Sequence, residues 1–235
     1  MSESTKPGEW SETARFGILF GALAAMILLM PLAAQQHGPA VILRALLTLV
    51  LLSGVYASSR NRAVLMVSIL LAGSASITGW IADLRDSEMT AAVSWVLAVV
   101  NITFVGGVVA TAVLRREQVT GDAIFAILSV FLLIGIAFAI VFALVEYFHP
   151  GSFLLRGEII PGADTLTGSA YSFSVLLYLS FVTLATVGYG DIHPIEPLAQ
   201  ILCATEGIVG QVFLAVVVAR VIGMSLAARD PGTEG

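Results

Sequence analysis

The sequence predicts an all-α polytopic membrane protein: four N-terminal spanning helices, then a two-helix unit that holds a short re-entrant helix. Three observations carry this. First, 58% of the 235 residues are hydrophobic and 11% are charged, with mean hydropathy +0.97. A soluble chain averages about 45–50% apolar and roughly 25% charged. Second, apolar runs fall at 16–34, 40–59, 63–82, 90–114, 123–146 and 197–222, each near the ~20 residues that cross a hydrocarbon core. Third, the basic residues alternate in side. Lys6, Arg15, Arg60, Arg62, Arg115, Arg116, Arg220 and Arg229 gather on one side, and Arg85 and Arg156 on the other. Basic connections stay in the cytoplasm, so both termini are expected there. The divisions expected are a cytoplasmic N-terminus at 1–15, a four-helix unit at 16–116, a two-helix unit at 117–225 and a cytoplasmic tail at 226–235.

The first run, "FGILFGALAAMILLMPLAA", is followed by Gln35, and "LAAQ" imitates a signal-peptide cleavage site. Acidic Glu9 and Glu12 and the length of the run argue for a retained span. The second run contains Arg44 near its outer end. That side chain either snorkels to the surface or pairs with Asp83 or Asp86 at the ends of neighbouring runs. The fourth run carries Asn101, suited to bonding across helices, and no arginine between 91 and 114. A voltage sensor needs repeated arginines inside the membrane; here only Arg115 and Arg116 follow the run. The fifth run closes on Glu146, whose carboxylate can reach headgroups or loop amides. Residues 147–168 contain "HPGSF" and "IPGAD", read as turns. Residues 165–190 carry no charge but many hydroxyls. They suit a short helix over 171–184 that enters and returns, which lipid tolerates only when the non-helical backbone is shielded.

Several function classes are excluded. A net charge of −5 spread over few charges offers no basic face for nucleic acid. Cys203 stands alone in an apolar run, so no internal disulfide forms. His37, His149 and His193 match no metal-ligand spacing. Asp191 and His193 lie two apart without a nucleophile or an orienting group, and an enzyme is not expected. "GYGD" resembles a phosphate-binding glycine loop only in composition, and no cofactor is expected.

The informative stretch is "TLATVGYGD", residues 183–191. Gly188 and Gly190 can reach backbone angles closed to other residues. Ordinary residues alternating with glycine let consecutive carbonyls turn one way. A ring of such carbonyls can replace the water of a dehydrated cation. Thr186, Val187, Gly188 and Tyr189 would supply them, with the Thr186 hydroxyl adding an inner ring. One chain gives one strand of the lining, so four copies about an axis would complete it.

"TVGYGD", Thr186–Asp191, matches the selectivity-filter signature of tetrameric potassium channels at every position, and residues 120–225 resemble their pore domain. The order of the whole chain resembles the prokaryotic six-span type without voltage-sensing arginines. That resemblance implies a homotetrameric, potassium-selective channel in a bacterial or archaeal plasma (inner) membrane. Potassium ions, lipids and its own copies would be its partners. Thr186, Val187, Gly188 and Tyr189 would form the potassium sites, Gly190 the outer turn, and Asp191 a bond to the pore helix. Tyr178 and Leu179 stand where the family has paired aromatics; Tyr178 can still donate to Asp191. Val182 replaces a glutamate of some members, Ala185 replaces a common threonine, and Thr183 keeps a hydroxyl.

In "EGIVGQVFLAVVVARVIG", Gly210 falls at the family's hinge glycine, though it and Gly207 equally suit close packing. Val217, Val218 or Val221 would line the cavity and gate. Glu206 has three readings: a bond behind the filter, an acid kept protonated by burial, or a place in the wet vestibule. Two rival functions are a potassium uptake transporter subunit and a non-conducting sensor or scaffold on a channel fold. The former carries four imperfect filter segments in one long chain, against one intact segment here. Residues 16–114 would brace the pore or contact lipid, and the stimulus that opens it is not encoded in any motif.

Overall fold

The computed structural model describes residues 9–33, 40–57, 62–114, 121–167 and 170–227. Lys6, His37, Arg60, Arg115, Arg116 and Arg229 lie outside the described residues. Helices α1 (Glu9–Ala33), α2 (Ala40–Ala57), α3 (Arg62–Arg85), α4 (Glu88–Leu114) and α5 (Gly121–Phe148) coincide with the first five apolar runs. After them come strands β1 (Phe153–Leu155) and β2 (Glu158–Ile159), helix α6 (Ala170–Leu184), strand β3 (Ile192–Pro194) and helix α7 (Pro197–Ala227). By length and composition α3, α4, α5 and α7 can each cross a membrane; the apolar stretches Arg15–Met30, Ile42–Ala57 and Ala170–Leu184 are shorter. The chain is therefore a multi-pass helical membrane protein.

The helices bury part of their apolar surface and leave other apolar side chains exposed. In α1 the buried stripe is Phe16, Leu19, Leu23, Met26 and Met30, while Leu28 and Leu32 face outward. Recurrence at three and four residues is the helical period. In α3 the buried residues are small: Ser68, Ala72, Ala75, Gly79 and Ala82. Lipid supplies no hydrophobic drive between helices, so small seams that let backbones approach hold membrane helices together. Against that seam lies α4, and the Asn101 side-chain amide donates to the Ser68 carbonyl at 3.4 Å.

Helix α5 is central, packing against α1, α4, α6 and α7 of its own chain. Its buried stripe runs through Val130, Leu133, Ile136, Ile140 and Ala143.

Arg44 resolves to a charge pair. Its Nε and Nη2 donate to the two Asp83 oxygens at 2.8 and 2.9 Å, and Nη1 reaches Ser94 Oγ at 3.4 Å. Gly79 lets the guanidinium pass: a Cβ there would stand 2.4 Å from Arg44 Nη1. Asp86 turns elsewhere, its carboxylate 3.2 Å from the Thr167 hydroxyl, whose proton goes to Glu88.

The all-α expectation needs one correction. The connection after α5 builds a three-stranded antiparallel sheet in the order β2-β1-β3. Leu155 pairs with Glu158 across Arg156 and Gly157, whose φ values are 53° and 87°. Two positive-φ residues between paired strands make the mirror-image turn that matches strand twist. Strands of two and three residues have too little alternation to be read from sequence. The Glu146 carboxylate, buried at the end of α5, accepts the Gly151 N–H at 2.6 Å and the Phe153 N–H at 2.9 Å. Of its two expected partners, loop amides hold it.

Candidate functional site

Helix α6 has 15 residues, about 22 Å at 1.5 Å per residue and too short to cross a ~30 Å core. Its end is specific. The Thr186 N–H donates to the Thr183 carbonyl at 2.9 Å and the Val187 N–H to the Val182 carbonyl at 2.9 Å, with φ +57° at Thr186. Those are the paired bonds of a Schellman stop, with Thr186 at the left-handed position usually given to glycine. The Gly188 N–H also leans on the Val182 carbonyl at 3.3 Å. Val182 and Thr183 thus support the segment through backbone oxygens, a role their side chains do not announce.

Beyond the stop, Gly188 has φ +56° and Gly190 φ +78°, while Val187 and Tyr189 keep negative φ. Alternation of positive and negative φ can line up successive peptide groups on one side. No atom lies within 4 Å of a Cβ built at Gly188 or Gly190. Within the protomer glycine is needed there for its φ rather than for space. Residues 185–190 are exposed, with Val187 at 51% and Tyr189 at 72%. The protomer alone covers little of this segment.

Two anchors hold the far side of the loop. The Tyr178 hydroxyl donates to the Asp191 carboxylate at 3.1 Å. The Asp191 carbonyl accepts the Arg156 N–H at 2.7 Å, and β3 continues into the sheet through Leu155 and Ile192. The Tyr189 ring turns back over α6, parallel to Tyr178 within 4° at 6.5 Å.

Behind α6 the packing is close. Ser180 Oγ bridges the Gly135 carbonyl of α5, at 2.7 Å, and Glu206 Oε1 of α7. Glu206 is fully buried, and its Oε2 has no hydrogen-bond partner among the described residues. Of the three readings, the geometry places Glu206 behind the segment, away from the vestibule. One serine proton cannot serve two acceptors. Phe181 covers Gly135, where a Cβ would meet the ring at 2.6 Å. At Gly210 a Cβ would stand 2.2 Å from the Leu184 carbonyl oxygen. Close packing of α7 on the end of α6 therefore requires glycine at 210, whatever motion α7 undergoes.

Of the three valines, Val217 is half-buried and Val218 exposed, and the Val221 side chain lies outside the described residues. Ser180 and Gly135 were not singled out from the sequence. A serine inside an apolar helix, "YLSFV", was the available signal.

Comparison with known families returns one match: residues 130–225 fit the family model described as ion channel. It runs from the middle of α5 through α6 and the glycine segment into α7. No curated protein and no solved structure matches the chain. The match supports an ion-channel segment in a membrane protein and points away from catalysis.

Proposed function

We propose that the chain is a potassium-selective channel that conducts passively through a pore made by four identical copies. The observation that carries this reading is the glycine segment. A helix too short to span stops with Thr186 left-handed, and Gly188 and Gly190 continue the alternation. Residues 185–190 lie exposed. Stacked carbonyls at Thr186, Val187, Gly188 and Tyr189 replace the hydration of one ion after another, and several weak sites in line permit knock-on conduction. Four-fold closure brings the strands together and covers what one protomer leaves bare.

In this reading the turret sheet and Asp191 lie outside and Arg220 lies inside, following the bias of basic residues. Val217, Val218 or Val221 would line the inner passage, where aliphatic walls close a pore by dewetting. The four-helix unit packs on its own α5 and carries no arginine ladder, so it braces rather than senses voltage in the usual way. The plasma membrane of a bacterium or archaeon is the expected site.

The test is flux in reconstituted vesicles. A potassium gradient should drive uptake in the wild type and a sodium gradient should drive almost none. Equal permeation of the two ions removes the selectivity. Crosslinked species in detergent should reach four copies; a monomer would remove the shared pore.

A further inference from the structure

We propose that α4 is a strut within one protomer, tying the approach to α6 to the far part of α7, with Glu88 and Arg220 as its two fastenings. Its functional consequence rests on the conducting reading above; its geometry does not.

At one end, Glu88 sits in the first turn of α4. Its carboxylate accepts the Leu166 N–H at 2.7 Å, the Thr167 N–H at 3.4 Å and the Thr167 hydroxyl. These residues immediately precede α6, which begins at Ala170. Two turns along α4, Trp95 meets Phe173 of α6 edge-on, with ring centroids 4.9 Å apart. Glu88 thus fixes the segment that leads into the short helix, and Trp95 fixes the first turn of that helix.

At the other end, Arg220 Nη2 donates to the Val113 carbonyl at 3.1 Å. Val113 lies in the last turn of α4, where carbonyls lack helical partners and the helix dipole favours a cation. Arg220 follows closely on Val217 and Val218, the candidate gate residues. Between the fastenings α4 runs for 27 residues, roughly 40 Å, seated on α5 and on the small-residue seam of α3. A displacement of α7 at Arg220 therefore loads the approach to α6 through one packed helix. Neither fastening touches the glycine segment, so they position it without contacting ions.

The experiment compares wild type, Glu88→Gln, Arg220→Gln, the double variant and Arg220→Lys in planar bilayers. Each single glutamine variant should change open probability by roughly 2- to 30-fold, with the potassium-to-sodium permeability ratio unchanged. The double variant should show no more than the larger single effect, because both act through one element. Arg220→Lys, which keeps a cation and a donor, should restore wild-type gating. Unchanged open probability in both single variants overturns the strut, as does a double effect equal to the product of the singles.

A wild type that passes no potassium refutes the conducting reading alone. Hydrogen exchange then decides the strut: the Leu166 and Thr167 amides should exchange faster in Arg220→Gln than in wild type or Arg220→Lys. Equal exchange overturns it. Should Arg220→Gln fail to assemble, Glu88→Gln read at the amides of Val217–Arg220 decides in the same way.

Discussion

Thr186 bears a demand that glycine usually meets. A non-glycine residue in the left-handed region costs about 1–3 kcal/mol, and here it closes α6 and opens the glycine segment together. Gly188 and Gly210 make an instructive contrast. Gly188 has φ +56° and open space around its Cβ position. Within the protomer, Gly188→Ala should therefore cost only about 1–2 kcal/mol of backbone strain, leaving its fold intact while misaligning carbonyls. Thermal unfolding should change little and selectivity should fall.

Gly210→Ala places a methyl 2.2 Å from the Leu184 oxygen and should destabilise by roughly 1–3 kcal/mol through overpacking, seen as a lower Tm. The left-handed backbone of Gly188 was legible because alternation with glycine is a local property. The contact of Gly210 was not, because close approach belongs to a pair of helices. Glu206 was legible as a carboxylate out of place in an apolar run, but neither its full burial nor its partner Ser180 was. Glu206→Gln should preserve the bridge, since an amide can donate to Ser180 Oγ. Glu206→Ala should lower Tm and weaken selectivity.

At the scale of elements, the apolar runs forecast the helices well because membrane depth imposes length on any spanning helix. What escaped were the short strands and the fastenings, which depend on partners distant in the chain. Glu146, whose bond to loop amides was one of two expected outcomes, shows what such a fastening does. Removing its carboxylate leaves the Gly151 and Phe153 amides without an acceptor, at roughly 1–3 kcal/mol for each buried group. Glu146→Ala should speed exchange of those two amides and loosen the sheet that carries β3. The Arg44–Asp83 pair, one of the alternatives the sequence offered for Arg44, fastens the four-helix unit, with side-chain exposures of 9% and 19%. Breaking a buried pair by removing one partner costs about 3–5 kcal/mol, whereas replacing both with apolar residues is often neutral. Asp83→Leu alone should lower Tm strongly, and Arg44→Met with Asp83→Leu should recover much of it.

At the scale of the molecule, the bareness of residues 185–190 is as informative as any contact. A segment with this backbone alternation, standing exposed at the end of a short apolar helix, is unfinished in one copy. In the tetrameric reading proposed above, four copies about an axis would finish it, and the same symmetry would bring the α7 helices around a common passage. Within one chain, α4 and α1 both pack on α5.

A density map of the protein purified in potassium tests the central claim most directly. The account predicts four chains about one axis, with the carbonyls of Thr186, Val187, Gly188 and Tyr189 converging on a column of ions. Residues 186–189 lying away from the symmetry axis, or an axis with no ions between them, would contradict it.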